Sequence, residues 1–359
     1  MKKILVIITT GMSPYGGLTT VAMNYYRQLD FSCYEVDFVS SNVLNSDLET
    51  ELQEHNSHYF QIKNRNSKPL AYFLTLSKLC RGYDVVHVHA NSATATIELL
   101  AAKNAGVKKR IIHIHNTTCT HKIVHRILKP VFDKCYTDAL ACSKAAGEWI
   151  FPKGKFVVLN NAIDLEMYSY SVQNRHKIRE KYCIGDELLI GNVGKLIEQK
   201  NHLFALQVFK EVLKSYPTAK FMIVGGGILE SSLREKATEL GIADRVIFCG
   251  MTNSAVPYLS AFDVVLFPSL WEGLPLSLIE AQANGLKCII SDSITSEVDM
   301  GGVVSLSLES DLHIWSEALI KSYRKDRETF CSIYHSNMID KGFDIRENAK
   351  KIEEIYRGD

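Results

Sequence analysis

Several chemistries are missing from this sequence before any motif is found in it. No apolar run approaches the ~18 residues of a membrane-spanning helix, and the opening MKKILVIITTG is too short and too soon ended by glycine to read as a signal peptide. The expected location is the cytoplasm. Nine cysteines are scattered without a Cys-x-x-Cys pair, an odd number that fits reduced thiols better than a disulfide framework or a zinc site. There is no Asp-x-Asp pair and no evident His/Asp cluster, so no bound metal or cofactor is expected. Low-complexity segments and repeats of solenoid period are also missing, which excludes repeat arrays and disordered tails. The net charge of +1 gives no basis for a nucleic-acid surface.

What is present is an ordinary globular composition over 359 residues, comfortable for two domains. The charge is divided unevenly: residues 1–165 hold 19 Lys+Arg against 13 Asp+Glu, leaving 22 against 27 for the remainder. Short apolar strands alternate with helix-length segments. The first half offers KILVII, YEVDFVS, DVVHVHA, RIIHIHN, DALACS and KFVVLNN, and the second LLIGNVG, KFMIVGGG, RVIFCG, DVVLFPS and KCIISDS. That alternation predicts two doubly wound α/β domains with parallel sheets. The expected division is 1–165, 166–340 and a C-terminal helix within 341–359 that packs back on the first domain.

Ligands of such sheets sit beyond the carboxyl ends of the strands, so strand ends carry the candidates. The first is ILVIITTGMSPYGGLTTVAMNYYRQL, a strand, a glycine bend and a helix start. It is not a P-loop, because Gly17 and Leu18 stand where lysine and a hydroxyl are needed, and the dinucleotide fingerprint is missing too. An anion site on the helix N-terminus and a bare tight turn both remain open. The most specific stretch is FPSLWEGLPLSLIEAQANGLKCIISD. A strand ends at Pro268, a loop carries Glu272, a helix begins near Pro275, and Gly285 closes it. Glu280 falls among apolar helix residues, where an unpaired carboxylate is costly. The N–H groups of Gly273, Leu274, Leu276 and Ser277 suit a diphosphate. GNVGKLIEQKNH puts Lys195 and Lys200 after a second strand, placed to flank the same anion.

In these motifs the chain resembles glycosyltransferase family 4, the retaining transferases of GT-B fold, over nearly its whole length and most strongly from Leu189 to Asp292. The resemblance implies two Rossmann-like domains whose parallel sheets face a central cleft. It implies that Glu272 binds the hydroxyls of a donor sugar, that Glu280 binds the nucleotide ribose, and that Lys195, where the family has arginine, and Lys200 meet the diphosphate. Gly16 and Gly17 match the glycine pair that lets the backbone approach the donor's terminal phosphate, and His115 matches the histidine beside the transferring sugar. His115 and Glu272 are thus the implied catalytic pair. CGMTNSAVPYL, with Met251, matches the loop that meets the base through its backbone. IVGGGILESSL matches the glycine turn under the nucleotide, with Gly226 where an acidic residue is usual. In NNAIDLEMY the second asparagine, Asn161, occupies a usual glycine position. His87 and His113 are expected to be hydrogen-bonded core residues, with His89 undecided.

The expected activity is sugar transfer from a nucleotide sugar, UDP-linked, to a glycan or lipid-linked glycan in surface polysaccharide assembly. No metal is needed, since lysines and helix N-termini stabilise the leaving diphosphate. An epimerase-like enzyme of the same architecture and a non-catalytic partner subunit are the rival readings. One further expectation concerns THKIVHRILKPVFDKCY. On a helical projection, Ile123, Val124, Ile127, Leu128, Val131 and Phe132 share one face and Lys122, His125, Arg126 and Lys129 the other, a pattern open to an ordinary surface helix or to contact with an anionic membrane at the inner face.

Overall fold

The computed structural model describes residues 1–14, 16–119, 121–323 and 326–358. The chain divides into one unit formed by Met1–Ala162 with Gly342–Asp359, and another formed by Ile163–Lys341. The last helix, Ile345–Arg357, is thus part of the first unit.

The first unit holds β1 (Lys2–Ile8), β2 (Tyr34–Ser40), β3 (Tyr59–Gln61), β4 (Val85–Ala90), β5 (Lys109–Ile114), β6 (Asp138–Ala141) and β7 (Val157–Val158). They form one sheet in the order β3-β2-β1-β4-β5-β6-β7 with every pairing parallel. The second unit holds β8 (Leu189–Val193), β9 (Lys220–Val224), β10 (Val246–Gly250), β11 (Val264–Phe267), β12 (Cys288–Ser291) and β13 (Val303–Leu306). Its order is β10-β9-β8-β11-β12-β13, again parallel throughout. Both sheets start in the middle and wind outward in two directions. Each therefore has a switch point, between β1 and β4 and between β8 and β11, where diverging loops leave an opening at the carboxyl ends.

The central strands are those their apolar runs predict, and they are buried because helices cover both faces of a parallel sheet, whereas β7 at one edge is exposed. β3 and β13 went unread because both lie at sheet edges, one only three residues long and the other half-exposed. In the second unit Asp263, just before β11, accepts bonds from Arg175, Arg179 and the N–H of Leu189 at 2.7–2.8 Å, which fixes where β8 and β11 enter the sheet. In the first unit the last helix is held to the sheet by Lys2, whose Nζ donates to the carbonyls of Tyr356 and Arg357 at 3.1 and 2.6 Å. Among the described residues no helix is long and apolar enough to cross a membrane.

Candidate functional site

The switch point of the second sheet is built from two loops that hold each other. After β8 the chain runs through Gly194 and Lys195 to a short helical turn, Glu198–Lys200, and after β11 it runs from Pro268 to Pro275. The N–H of Leu270 donates to the carbonyl of Gln199 at 2.8 Å, and the side-chain amide of Gln199 donates to the Trp271 carbonyl and to Glu272 Oε2 at 2.9 and 3.2 Å. Lys200 Nζ then donates to Glu272 Oε1 at 2.6 Å, with only 14% and 8% of the two side chains exposed, and lies 4.5 Å from the centre of the Phe267 ring. The two residues expected to touch different parts of a donor are therefore partners of one another. Lys195 is exposed.

The helix Leu276–Ala283 begins after Pro275, which stands at its N-cap rather than in its first turn. The N–H groups of that turn have no preceding helical carbonyl to bond, so Gly273, Leu274, Leu276 and Ser277 lie at an anion-favouring end. Gly285 ends the helix with φ of +74°. Glu280 is buried and has found a partner that the sequence did not announce. Tyr168 donates to its Oε1 at 3.1 Å. Burial pushes the carboxyl up to about 7, the Tyr168 bond opposing the shift. Near neutral pH, Glu280 is thus poised between its neutral and ionised forms.

The glycine run after β9 has a cause within the protein. A Cβ on Gly225, whose φ is +142°, would lie 1.9 Å from the Gly194 carbonyl oxygen, and one on Gly227 would lie 2.4 Å from that of Leu196. The loop after β8 rests directly on this turn, and only glycine permits the approach. Met251 packs on Gly226 and is 62% exposed.

In the first unit, Gly16 is the N-cap of the helix Gly17–Tyr26 and accepts from the N–H of Thr20. Among the described residues, nothing lies within 4 Å of where a Cβ on Gly17 would stand. The left-handed turn of this loop is at Gly11, with φ of +92°, and Asn42 pins the next residue by bonding both the N–H and the carbonyl of Met12. Asn42 was not read as part of this loop, since thirty residues separate the partners. Tyr15 lies outside the described residues.

The histidines depart most from expectation. β4 and β5 are neighbours with His89 and His113 in register, so His87, His89, His113 and His115 all project from one face. The opposite face, with Val86, Val88, Ile112 and Ile114, belongs to the apolar core. Neighbouring rings along the strands are 4.3 and 4.2 Å apart between centroids, and across the strands 5.1 Å. His87 is hydrogen-bonded as expected, through Nδ1 to the Tyr356 hydroxyl at 2.8 Å. His113 is buried in the core as expected, with the Leu159 backbone facing its ring but, among the described residues, no close hydrogen bond on either nitrogen. The sequence predicts no His/Asp cluster; the adjacency of β4 and β5 assembles a cluster of histidines alone.

His115 is half-buried, and both its nitrogens are engaged, Nδ1 with Asn161 Oδ1 at 3.1 Å and Nε2 with His89 Nδ1 at 2.9 Å. Desolvation pulls it down to about 4 against the bond to Asn161, and burial holds the other three well below 6.5. All four are neutral at pH 7. An amide oxygen only accepts, so His115 carries its proton on Nδ1 and accepts at Nε2 from His89 Nδ1–H. His89 then keeps a bare lone pair on Nε2. In the sequence Asn161 is only a departure from a usual glycine, and nothing near Tyr356 points to a contact 269 residues away.

Comparison with known proteins gives the family and the fold. Residues 15–167 match the family model described as Glycosyltransferase Family 4, and residues 187–324 match that of Glycosyl transferases group 1. The chain is 30% identical to the putative glycosyltransferase EpsF of Bacillus subtilis, over 99% of this chain and 96% of that one. It is also 30% identical, over 80% and 79% of the two chains, to an Escherichia coli UDP-Gal:alpha-D-GlcNAc-diphosphoundecaprenol alpha-1,3-galactosyltransferase. Its fold matches that of Anabaena HepE, solved in complex with UDP-glucose, with a TM-score of 0.80 at 16% identity over the whole of both chains. With its two parallel sheets, its paired glutamates at the end of β11 and this full-length likeness, the chain belongs to glycosyltransferase family 4 and is a glycosyltransferase.

Proposed function

We propose that this transferase takes a UDP-sugar as donor and passes the sugar, with retention of anomeric configuration, to a lipid-linked glycan in the assembly of a surface polysaccharide. The observation that carries the donor half is the Lys200–Glu272 pair, which joins the loops after β8 and β11 at the switch point of a parallel sheet. A diphosphate arriving there finds Lys200, the exposed Lys195 and the free N–H groups at the start of Leu276–Ala283. Once Lys200 turns to the phosphate, Glu272 is released to accept sugar hydroxyls. Glu280 accepts the ribose hydroxyls in its ionised form, and the exposed Met251 lies beside the base. The family resemblance assigns Gly16 and Gly17, at the start of the helix Gly17–Tyr26, to a phosphate of the donor. The UDP-bound fold neighbour and the UDP-Gal-dependent relative support uridine as the base.

The bond between the anomeric carbon and the β-phosphate oxygen breaks, and negative charge builds on the leaving diphosphate, where the lysines and the helix N-terminus stabilise it. The acceptor oxygen bonds to the same face of the sugar, and its proton passes to the leaving phosphate. No divalent ion is assigned to the diphosphate. His115, neutral and fixed through both nitrogens, orients the sugar and does not act as an acid or base. Membership in a transferase family leaves the epimerase-like reading without support.

The acceptor half rests on the helix Lys122–Phe132. Most of its apolar face does not turn inward: Ile123 and Ile127 are 77% and 69% exposed and Val124 and Val131 are exposed too, while Leu128 is half-buried against the core and Phe132 is buried. An ordinary surface helix buries such a face. Lys122, Arg126 and Lys129 line, with His125 and Trp149, an open cavity of about 430 Å³ beside it. Exposed apolar residues next to a basic cavity suit the surface of an anionic membrane and the phosphates of a lipid carrier. Thermal shift and hydrolysis with a panel of UDP-, GDP-, ADP- and dTDP-sugars test the donor. Response to a UDP-sugar is expected, and response only to another base overturns the assignment.

A further inference from the structure

We propose that His87, His89 and His113 bind one zinc(II) ion, held on Nε2 of His87, Nε2 of His89 and a ring nitrogen of His113. These residues offer one nitrogen each, all within 4.8 Å of one another and all buried. In a tetrahedral site with Zn–N near 2.0–2.1 Å, the nitrogens stand roughly 3.4 Å apart. Small ring rotations close that gap. The two nitrogens that point away from the cluster are already spoken for, His87 Nδ1 by Tyr356 and His89 Nδ1 by His115. Those are the outer partners a metal-bound imidazole uses to fix its tautomer and orientation. What remains is otherwise unexplained. Among the described residues, His87 Nε2 and both nitrogens of His113 are buried without a close hydrogen-bond partner; one cation would engage His87 Nε2 and one nitrogen of His113, leaving the other towards the Leu159 backbone.

The donor set selects the ion. Three neutral imidazoles with no carboxylate exclude the hard cations magnesium and calcium, and no preferred geometry is imposed beyond what zinc tolerates. A water or hydroxide completes the tetrahedron, and hydroxide also offsets the buried charge. Zinc on His89 Nε2 makes its Nδ1–H a stronger donor to His115 Nε2, so the ion would stiffen the imidazole assigned above to sugar positioning. The site itself is independent of the choice of donor, base or acceptor.

The test is metal content and spectroscopy of the full-length protein, using zinc and cobalt salts alone as probes. After dialysis against a weak chelator, one zinc per chain is expected by mass spectrometry. Cobalt(II)-loaded wild type should give an intense tetrahedral d–d spectrum without a thiolate-to-cobalt charge-transfer band, which separates these histidines from the nine cysteines. His113→Leu should weaken zinc binding by more than about 100-fold, beyond what loss of an outer partner gives, while UDP still raises its melting temperature. Absence of retained zinc in the wild type, an octahedral or thiolate cobalt spectrum, or undiminished zinc affinity in His113→Leu overturns the proposal. The cobalt measurement on wild type stands even where the variant does not fold.

Discussion

At the ends of β4 and β5 the first sheet gathers four imidazoles that are all neutral, whereas at the ends of β8 and β11 the second gathers a lysine and a glutamate joined at 2.6 Å. The strand order around the two switch points is the same. Both are largely buried, but they are built from different groups. Imidazoles shed their protons when desolvated, because their ordinary pKa lies close enough to neutrality for a modest penalty to decide the matter. Lys200 and Glu272 instead face each other as an ion pair at 2.6 Å. One topology thus supplies two kinds of site, a neutral one that orders rings and a charged one ready to exchange its internal partner for an anion.

The largest effect should come from breaking the charged site. Lys200→Ala leaves Glu272 buried without its cation, and is expected to lower stability by about 3–5 kcal/mol and UDP affinity by at least tenfold. Urea unfolding and calorimetry measure the two. Adding Glu272→Ala should restore part of the stability and none of the affinity. If the single variant keeps wild-type UDP affinity, the donor assignment fails. On the neutral side, His115→Ala should reduce turnover on the order of 100-fold, the scale of a misplaced substrate, with UDP affinity unchanged. Wild-type turnover would demote His115 to a structural residue.

Glu280 belongs to neither class, and pH sharpens the contrast. Its folded pKa is raised to about 7 from 4.5, so the folded protein binds the extra proton between those values and burial of the ionised form costs stability increasingly as pH rises through about 7. Ribose binding favours the ionised form. UDP affinity should therefore be full above pH 7 and fall below it, by up to about tenfold per pH unit. Glu280→Gln should weaken UDP binding at pH 8, flatten this dependence and make the free protein more stable there. A flat profile in the wild type would remove Glu280 from the ribose site.

Smaller effects are expected at the basic helix. Replacing Lys122, Arg126 and Lys129 by glutamine should cut sedimentation with anionic vesicles, at about 1 kcal/mol per residue near the surface, and the wild-type binding should weaken with salt. Donor hydrolysis should be unchanged. Vesicle binding equal to wild type would make Lys122–Phe132 an exposed helix without a membrane role. The smallest expected effect is none: EDTA should leave UDP affinity unaltered, since lysines and backbone dipoles replace a divalent ion at the diphosphate. Metal-reversible loss of UDP binding would place an ion there.

The sequence by itself determined the two parallel sheets, since continuous apolar runs bounded by glycine and polar turns are local signals that any buried strand must carry. It also determined the helix from Leu276 and its end at Gly285, the place of Glu272 and Glu280 around it, and the resemblance that these motifs carry. Tertiary structure decided the rest. The spacing of His87 with His89 and of His113 with His115 showed that each pair shares a face, but only the pairing of β4 with β5 makes them one cluster. Tyr168 on Glu280, Asn161 on His115 and Tyr356 on His87 are contacts across 112, 46 and 269 residues, which no local pattern encodes. The helical projection of Lys122–Phe132 separates an apolar from a basic set but does not say what is buried, and in the structure residues of both sets are exposed while Leu128 and Phe132 turn to the core. Burial depends on what packs against a helix, and packing is a property of the whole fold rather than of the segment.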